Sequence, residues 1–390
     1  MKHLVYADYA ATSPLSAAAR EAMLPYLDAL FANPSAVYQI GRQARRAVEE
    51  ARDAIAACLG ARPEEIYFTG CGTEGDNWAV KGMAQLGAGA GKRALITSAF
   101  EHHAVLHPCA AMEKAGFSVT YLPVHADGAV RPAELAAALR PDTALVSVMF
   151  ANNEVGTVQP VAELAKLCHA HGVPLHTDAV QAAGHLPIDV HAMGIDLLSL
   201  SAHKFGGPKG TGVLYVRRGL FLPPLLDGGA QEQGRRSGTE NVAGIVGMAA
   251  ALQESCARME AEAVRLSALR DRLESGLLAA VPQCRNSLAP GQPRLPGHLN
   301  LCFEGIEGDT LLLLLDRAGV CASSGSACTA GSIDPSHVLS ALGIPPAWAR
   351  GSLRLTLGFG TTQEDVDILL HAIPAAVARI RSLASDSYSV

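Results

Sequence analysis

The sequence predicts an α/β protein: a large region with a mostly parallel sheet flanked by helices, then a smaller α+β region. Three observations carry this. Short apolar strand candidates alternate with helical stretches from about residue 60 to 250. Runs such as ALVSVMF (144–150) are apolar almost throughout, as in a sheet covered on both faces. After a long Ala-, Leu-, Glu- and Arg-rich helical stretch at roughly 243–280, the pattern changes to LNLCFEG (299–305), a helix, a Ser/Gly/Ala loop and SLRLTLG (352–358).

The strand candidates in order are IYFT (66–69), ALITS (94–98), SVTYLP (118–123), ALVSVMF, PLHT (174–177), LLSLS (197–201) and GVLYV (212–216). Helical patterns lie between several of them, such as ELAKLCHAHG (163–172), which ends in glycine. LLLLL (311–315), between Asp309 and Asp316, is far too short to span a bilayer and reads as a buried strand or helix core. A chain of 390 residues suits two domains sharing one site. A net charge of −6 without a basic block argues against nucleic-acid binding. No secretory signal is seen. Nine cysteines, an odd number without C-x-x-C pairs, argue against a disulfide framework or a zinc ribbon and suit a reducing cytoplasm.

In open α/β sheets, ligands lie beyond the carboxyl ends of the strands. Here those ends lead into polar residues: GCGTEGDN (70–77), AFEHH (99–103), ANNE (151–154), DAVQ (178–181) and AHK (202–204). They would deliver Thr73, His102, Asn153, Asp178, Gln181, His203 and Lys204 to one crevice. GCGTEGDN begins a helix, and a glycine-rich helix start offers free N–H groups to a phosphate, although a plain N-cap turn has the same look. A nucleotide P-loop fits poorly: Lys209 follows Pro208 rather than glycine, and in GAGAGKR (87–93) Arg93 stands where Ser or Thr is needed.

Asp178 and Lys204 together suggest pyridoxal phosphate (PLP), which needs a lysine amine for an imine and an acid facing its ring nitrogen. Alone, Asp178 could be a helix N-cap and Lys204 a surface lysine. His102 could stack on the ring and carry protons, or be a structural strand-end histidine. The remaining histidines show no metal-like convergence.

At these residues the sequence resembles the NifS/IscS-type cysteine desulfurases, which are fold-type I PLP enzymes of the class-V aminotransferase family. The resemblance runs through YADYAATSP (6–14), ANPSAVYQIG (32–41), FTGCGTEGDN, FEHHAVL, MFANNEVGTVQP, HTDAVQAAG, SLSAHKFGGPKGTGVLYVRRG, GRRSGTENV (234–242), SSGSACTAGS (323–332) and SLRLTLG. SSGSACT marks the longer-loop group, closest to the nitrogen-fixation-type branch. The chain departs from the family pattern at Tyr38, Gly75, Ala230, Phe359 and Gly360.

The resemblance implies a large PLP-binding domain over 13–260, and a small domain of 1–12 with 261–390 carrying the catalytic cysteine loop. Lys204 would hold the cofactor and move the Cα proton. Asp178 would face the ring nitrogen, Gln181 the ring hydroxyl, and His102 would stack on the ring. Gly72, Thr73, Ser201 and His203 would bind the phosphate, and Thr239 would reach the phosphate of the neighbouring subunit in a homodimer. Asn153, beside the cofactor, and Arg354 would hold the substrate carboxylate. Cys328 would take sulfur from L-cysteine as a persulfide, leaving L-alanine, and pass it to an acceptor such as an iron–sulfur scaffold. By its residues alone, Cys328 could equally be an inert thiol in a bland loop. No resident metal is expected, apart from Cys328 as a transient iron–sulfur ligand. The rival readings are a selenocysteine lyase or other class-V enzyme, and an inactive homologue serving as an assembly platform.

Overall fold

Side chains alternate between two covered faces along seven short strands, and this alternation builds the main sheet. A computed structural model describes residues 3–324 and 335–386. Its strands are β1 (Val5–Tyr6), β2 (Ile66–Thr69), β3 (Ala94–Ser98), β4 (Ser118–Leu122), β5 (Thr143–Ser147), β6 (Leu175–Asp178), β7 (Leu197–Ser201), β8 (Gly212–Val216), β9 (Cys284–Asn286), β10 (His298–Phe303), β11 (Val320–Cys321) and β12 (Ser352–Thr356). The main sheet has the order β2-β8-β7-β6-β5-β3-β4.

On β2, Ile66 and Phe68 enter one hydrophobic cluster while Tyr67 enters another; on β8, Val213 and Tyr215 part from Leu214 and Val216 in the same way. That period of two, with both sets buried, explains the apolar runs. β3 to β7 pair in parallel, β8 runs against both β7 and β2, and β2 therefore points the same way as β7. The carboxyl ends of β2, β3, β5, β6 and β7 consequently share one edge of the sheet.

Two expectations are adjusted. The run 144–150 is regular strand only to Ser147; Val148 and Phe150 then donate to the carbonyls of His176 and Asp178, and the chain continues beside β6. LLLLL lies in the helix Gly308–Arg317, where Leu311 and Leu315 are buried but Leu313 is 67% exposed. A helix turns a five-residue run around its axis, so one leucine faces water.

A second sheet, β12-β10-β9, and the pair β1-β11 enclose a separate cluster with Leu311, Leu315, Leu355 and Leu369. The helix Val242–Ala280 joins the two cores: Ile245, Met248 and Leu252 enter the first, and Leu266, Leu269, Leu273 and Leu277 the second. The chain's start belongs to this second region, with Val5 and Ala7 in its core. The first cluster also takes in Leu288, Leu295 and Val338, so the two regions share buried surface.

Candidate active site

One cavity of about 310 Å³ opens at the common strand edge. It is lined by Gly72, Thr73, His102, Asn153, Asp178, Gln181, Ser201, His203, Lys204 and Arg354, ten of the positions the sequence singles out. Thr239 is exposed and does not line it. Cys328 lies outside the described residues.

The helix Gly72–Gly89 starts at the cavity with an extended N-cap, Cys71, that makes no side-chain capping bond. Its first-turn N–H groups are left for a ligand, with the positive end of the helix dipole behind them. Gly72 makes this approach possible, since a Cβ there would stand 2.5 Å from Val180 Cγ2. The buried Ser201 Oγ, at the end of β7, has no hydrogen-bond partner among the described residues. A buried hydroxyl is seldom left so, and an uncapped helix start with a hydroxyl donor beside it has the chemistry of a phosphate pocket.

Asp178 ends β6 opposite Ser199 of β7. It is buried, and its Oδ1 accepts from Val180 N at 2.9 Å. Burial pushes its carboxyl up to about 6, against the pull of that N–H and of Lys204. A cationic ring nitrogen against this carboxyl would favour its ionised form. Lys204 closes the short 3-10 turn Ala202–Lys204, and its Nζ donates to the carbonyls of Ala10 at 2.5 Å and Ala11 at 2.9 Å. His185 Nε2 meets the Lys204 carbonyl at 3.1 Å. Gln181 Nε2 also reaches Ala10 O, at 3.0 Å. The N-terminal segment thus forms one wall.

His102 caps the helix His103–Lys114; its Nδ1 accepts from Ala104 N at 3.1 Å, so the neutral ring carries its proton on Nε2. Burial, then the charge of Lys204, lowers it to about 4. His203, at 3.1 Å from Thr12 Oγ1, is lowered to about 4 for the same two reasons. Both are neutral rings near pH 7.

Arg354 enters from the second sheet. It lies mid-strand in β12, 3% exposed, with Nη2 on Asp8 Oδ1 at 2.7 Å and Nη1 on Asn153 O at 3.1 Å. Its Nε has no partner among the described residues. Ser323, in the segment leading toward Cys328, bridges antiparallel to Arg354.

Sequence reasoning gave no role to Asp8, Asp76 or His176. Asp8 lies within YADYAATSP but was given no role of its own. Asp76 lines the cavity, 1% exposed, with Oδ1 at 3.5 Å from His176 Nε2. Burial and the charge of Asp178 raise it well above the usual carboxylate range. His176, two residues before Asp178 and on the same face of β6, lies between Ser147 Oγ at 2.8 Å and Ser199 Oγ at 3.0 Å. The departure at Gly75 has its reason here: a Cβ would stand 2.9 Å from Ser199 Oγ. The signal that could have exposed Asp76 is its place four residues into a glycine-rich helix start.

A profile of the Aminotransferase class-V family matches residues 5–369. The chain belongs to the class-V aminotransferase family. It is 52% identical over 379 residues to a protein of Methanosarcina thermophila named cysteine desulfurase IscS, covering 97% of this chain and 93% of that one. A cysteine desulfurase IscS of Dictyoglomus turgidum is 48% identical over 383 residues, 98% of this chain and 97% of its own. Among solved structures, a NifS-like protein superposes with a TM-score of 0.91 at 37% identity, covering 97% of this chain and all of that one. SspA in complex with cysteine superposes with a TM-score of 0.81 at 38% identity, over 90% of this chain and 98% of that one. Class-V members of this kind are PLP-dependent. The uncapped helix start, the Ser201 hydroxyl, the buried Asp178 and the Lys204 amine fit that cofactor.

Among the described residues no group of His, Cys, Asp and Glu could hold a metal ion, and no helix is long and apolar enough to cross a membrane.

Proposed function

We propose that this protein is a PLP-dependent cysteine desulfurase, converting L-cysteine to L-alanine and passing the sulfur to Cys328. The observation that carries the reading is the meeting of Lys204, Asp178 and Arg354 in one cavity, in a chain whose relatives bear that name over nearly their whole length.

Bound PLP would supply an electron sink for charge developing at the substrate Cα. Asp178 would keep the ring nitrogen protonated, and Gln181 would meet the ring hydroxyl. Gly72, Thr73, Ser201 and His203 would hold the phosphate, and His102, a neutral ring, would lie against the heterocycle with Asn153 beside it. Lys204 Nζ would anchor the cofactor and, when substrate displaces it, take the Cα proton and return it. Arg354 would hold the substrate carboxylate with donors not committed to Asp8, helped by Asn153. The Cys328 thiolate would attack the substrate Sγ: an S–S bond forms, the Cβ–Sγ bond breaks, and Cβ gains a proton on the way to alanine.

The two cores support a division into a cofactor-binding domain, 13–260, and a small domain of 1–12 with 261–390. The exposed Thr239 suits contact with a second copy, where it would complete the neighbour's phosphate site in a homodimer. An acceptor protein such as an iron–sulfur scaffold would take the sulfur, Cys328 serving as at most a transient iron–sulfur ligand. A reducing cytoplasm fits a free catalytic thiol.

The test is a desulfuration assay with mass spectrometry of the intact chain after one turnover. One added sulfur on Cys328 and stoichiometric alanine are expected. Cys328→Ala should retain the cofactor's visible band yet release no sulfide. Parent-rate alanine and sulfide from Cys328→Ala would overturn the role of this thiol.

A further inference from the structure

We propose that Arg52 and Glu232 are positioning residues for the cofactor's phosphate: their ion pair fixes the strained segment 232–236 and so sets where Thr239 stands. The inference rests on the phosphate role proposed for Thr239. Neither Arg52 nor Glu232 lines the cavity.

The pair closes an edge. β2 is the outermost strand of the main sheet and pairs with β8. The outer side of such a strand offers N–H and C=O groups to a further strand. Side chains take that place here. Arg52 Nη1, from the helix Gln39–Leu59, donates to the Ile66 carbonyl at 2.6 Å, and Glu232 Oε2 accepts from Phe68 N at 2.9 Å. The two side chains meet as a fork, Nη1 on Oε2 and Nη2 on Oε1, both at 2.9 Å. The guanidinium lies over the Phe68 ring, 4.6 Å from its centre, and both charged residues are buried.

Held in this way, the chain adopts a backbone it would otherwise avoid. Glu232 and Gln233 have φ of +47° and +59°, a left-handed region that residues other than glycine rarely enter. Such a conformation persists where its surroundings over-determine it, and the fork and Phe68 N do so here. From that turn the chain reaches Arg236, whose Nε and Nη2 donate to Glu74 Oε1 at 2.8 Å and Oε2 at 3.1 Å. Glu74 follows Thr73 in the first turn of the helix Gly72–Gly89, and its Oε2 also accepts from Gly70 N at 2.8 Å. Ser237 Oγ donates to the Gly229 carbonyl at 2.8 Å and Gly238 N to Gln231 Oε1 at 3.2 Å, closing the loop on itself. The exposed Thr239 is the next residue. Its place is thus set by Arg52 at the sheet edge and by Glu74 at the helix start.

The experiment measures dissociation constants for PLP and for pyridoxal, which lacks the phosphate, by absorbance on the full chain stripped of cofactor and reconstituted. Both ligands would use Lys204 and Asp178, but only PLP engages the phosphate site. Arg52→Met should weaken PLP by about 10-fold, ~1.4 kcal/mol, and leave pyridoxal unchanged. The double variant Arg52→Met/Glu232→Leu also removes the buried carboxylate left without its partner, so its melting temperature should return toward the parent's, yet the selective loss of PLP should remain. Thr239→Ala should show the same selective loss, and adding it to the double variant should weaken PLP no further. Equal weakening of PLP and pyridoxal, unchanged PLP binding, recovery of PLP affinity in the double variant, or additive losses would overturn the proposal. Parent-like PLP binding by Thr239→Ala would overturn the phosphate role of Thr239, and the proposal with it.

Discussion

The edge of the seven-stranded sheet and the middle of β12 meet at one cavity, but they hold their functional groups in opposite ways. Along the edge, polar groups stand where strands end. There the helix start lacks a side-chain cap, Ser201 Oγ has no partner among the described residues, and two carboxyls, Asp178 and Asp76, are buried close enough for the charge of one to raise the other. On β12 the backbone is paired along its length, and the charge of Arg354 is already met by Asp8. The edge therefore holds binding capacity in reserve, whereas Arg354 must share a guanidinium already committed to an internal partner. The proposed roles, a permanent cofactor at the edge and a transient substrate at Arg354, call for these two designs.

The largest effect that would break this contrast is at Lys204. Lys204→Ala should lower alanine formation by about 10³-fold or more, measured by amino-acid analysis, with far-UV circular dichroism unchanged. A smaller loss would mean that the edge does not carry the chemistry. Next comes Arg354→Lys, which keeps the charge but loses the planar fork. It should raise KM for cysteine by about 10- to 100-fold, roughly 1.4 to 2.8 kcal/mol of binding, with kcat changed less. A fall in kcat at constant KM would remove the distinction between the two sides.

The reserve at the edge also predicts a pH dependence. Glu101 is fully buried, and burial pushes its carboxyl from 4.5 to about 8, partly offset by Ser98 Oγ and Met149 N. The folded state therefore binds this proton more tightly than the unfolded chain. The associated stability is present below pH 4.5 and is lost as pH rises through about 8. Glu101→Gln should flatten the fall in denaturation midpoint across that window by a few kcal/mol, at ~1.4 kcal/mol for each tenfold difference in proton affinity. An unchanged slope would place the proton elsewhere.

The smallest effect sharpens the picture of the helix start. Gly72→Ala should weaken cofactor retention by about 10-fold, or ~1–3 kcal/mol of overpacking, read by dialysis and absorbance. The added Val180→Ala should restore most of it, because Val180 Cγ2 is the atom struck.

Much of this was legible in the sequence. IYFT, ALITS, LLSLS and GVLYV are the strands β2, β3, β7 and β8 as the structure bounds them. Their apolar character follows from burial on both faces, and the polar residues after them from the common edge. The reversal of β8 was not legible, because strand direction is set by pairing and not by the composition of GVLYV. Asp8 and His176 escaped for a related reason. Asp8 matters because Arg354 lies 2.7 Å away from a strand 346 residues later. His176 matters because register places it between Ser147 and Ser199. Local sequence carries neither fact. Asp76 lay inside a recognised motif, but its depth depends on how closely Gly75 lets the helix approach Ser199.

The N-terminal segment has a consequence for synthesis on the ribosome. Ala10 and Ala11 grip the Lys204 amine, while Tyr9 N donates to the carbonyl of Thr356, and Thr356 N to that of Ala7. The segment 7–11 is thus seated by a strand made long after it. Even if the seven-stranded sheet collapses on the nascent chain, the amine has no finished wall to lean on until β12 has left the exit tunnel. Cofactor capture should therefore be a post-translational event, and a chain truncated before Ser352 should stay colourless however well its sheet has folded.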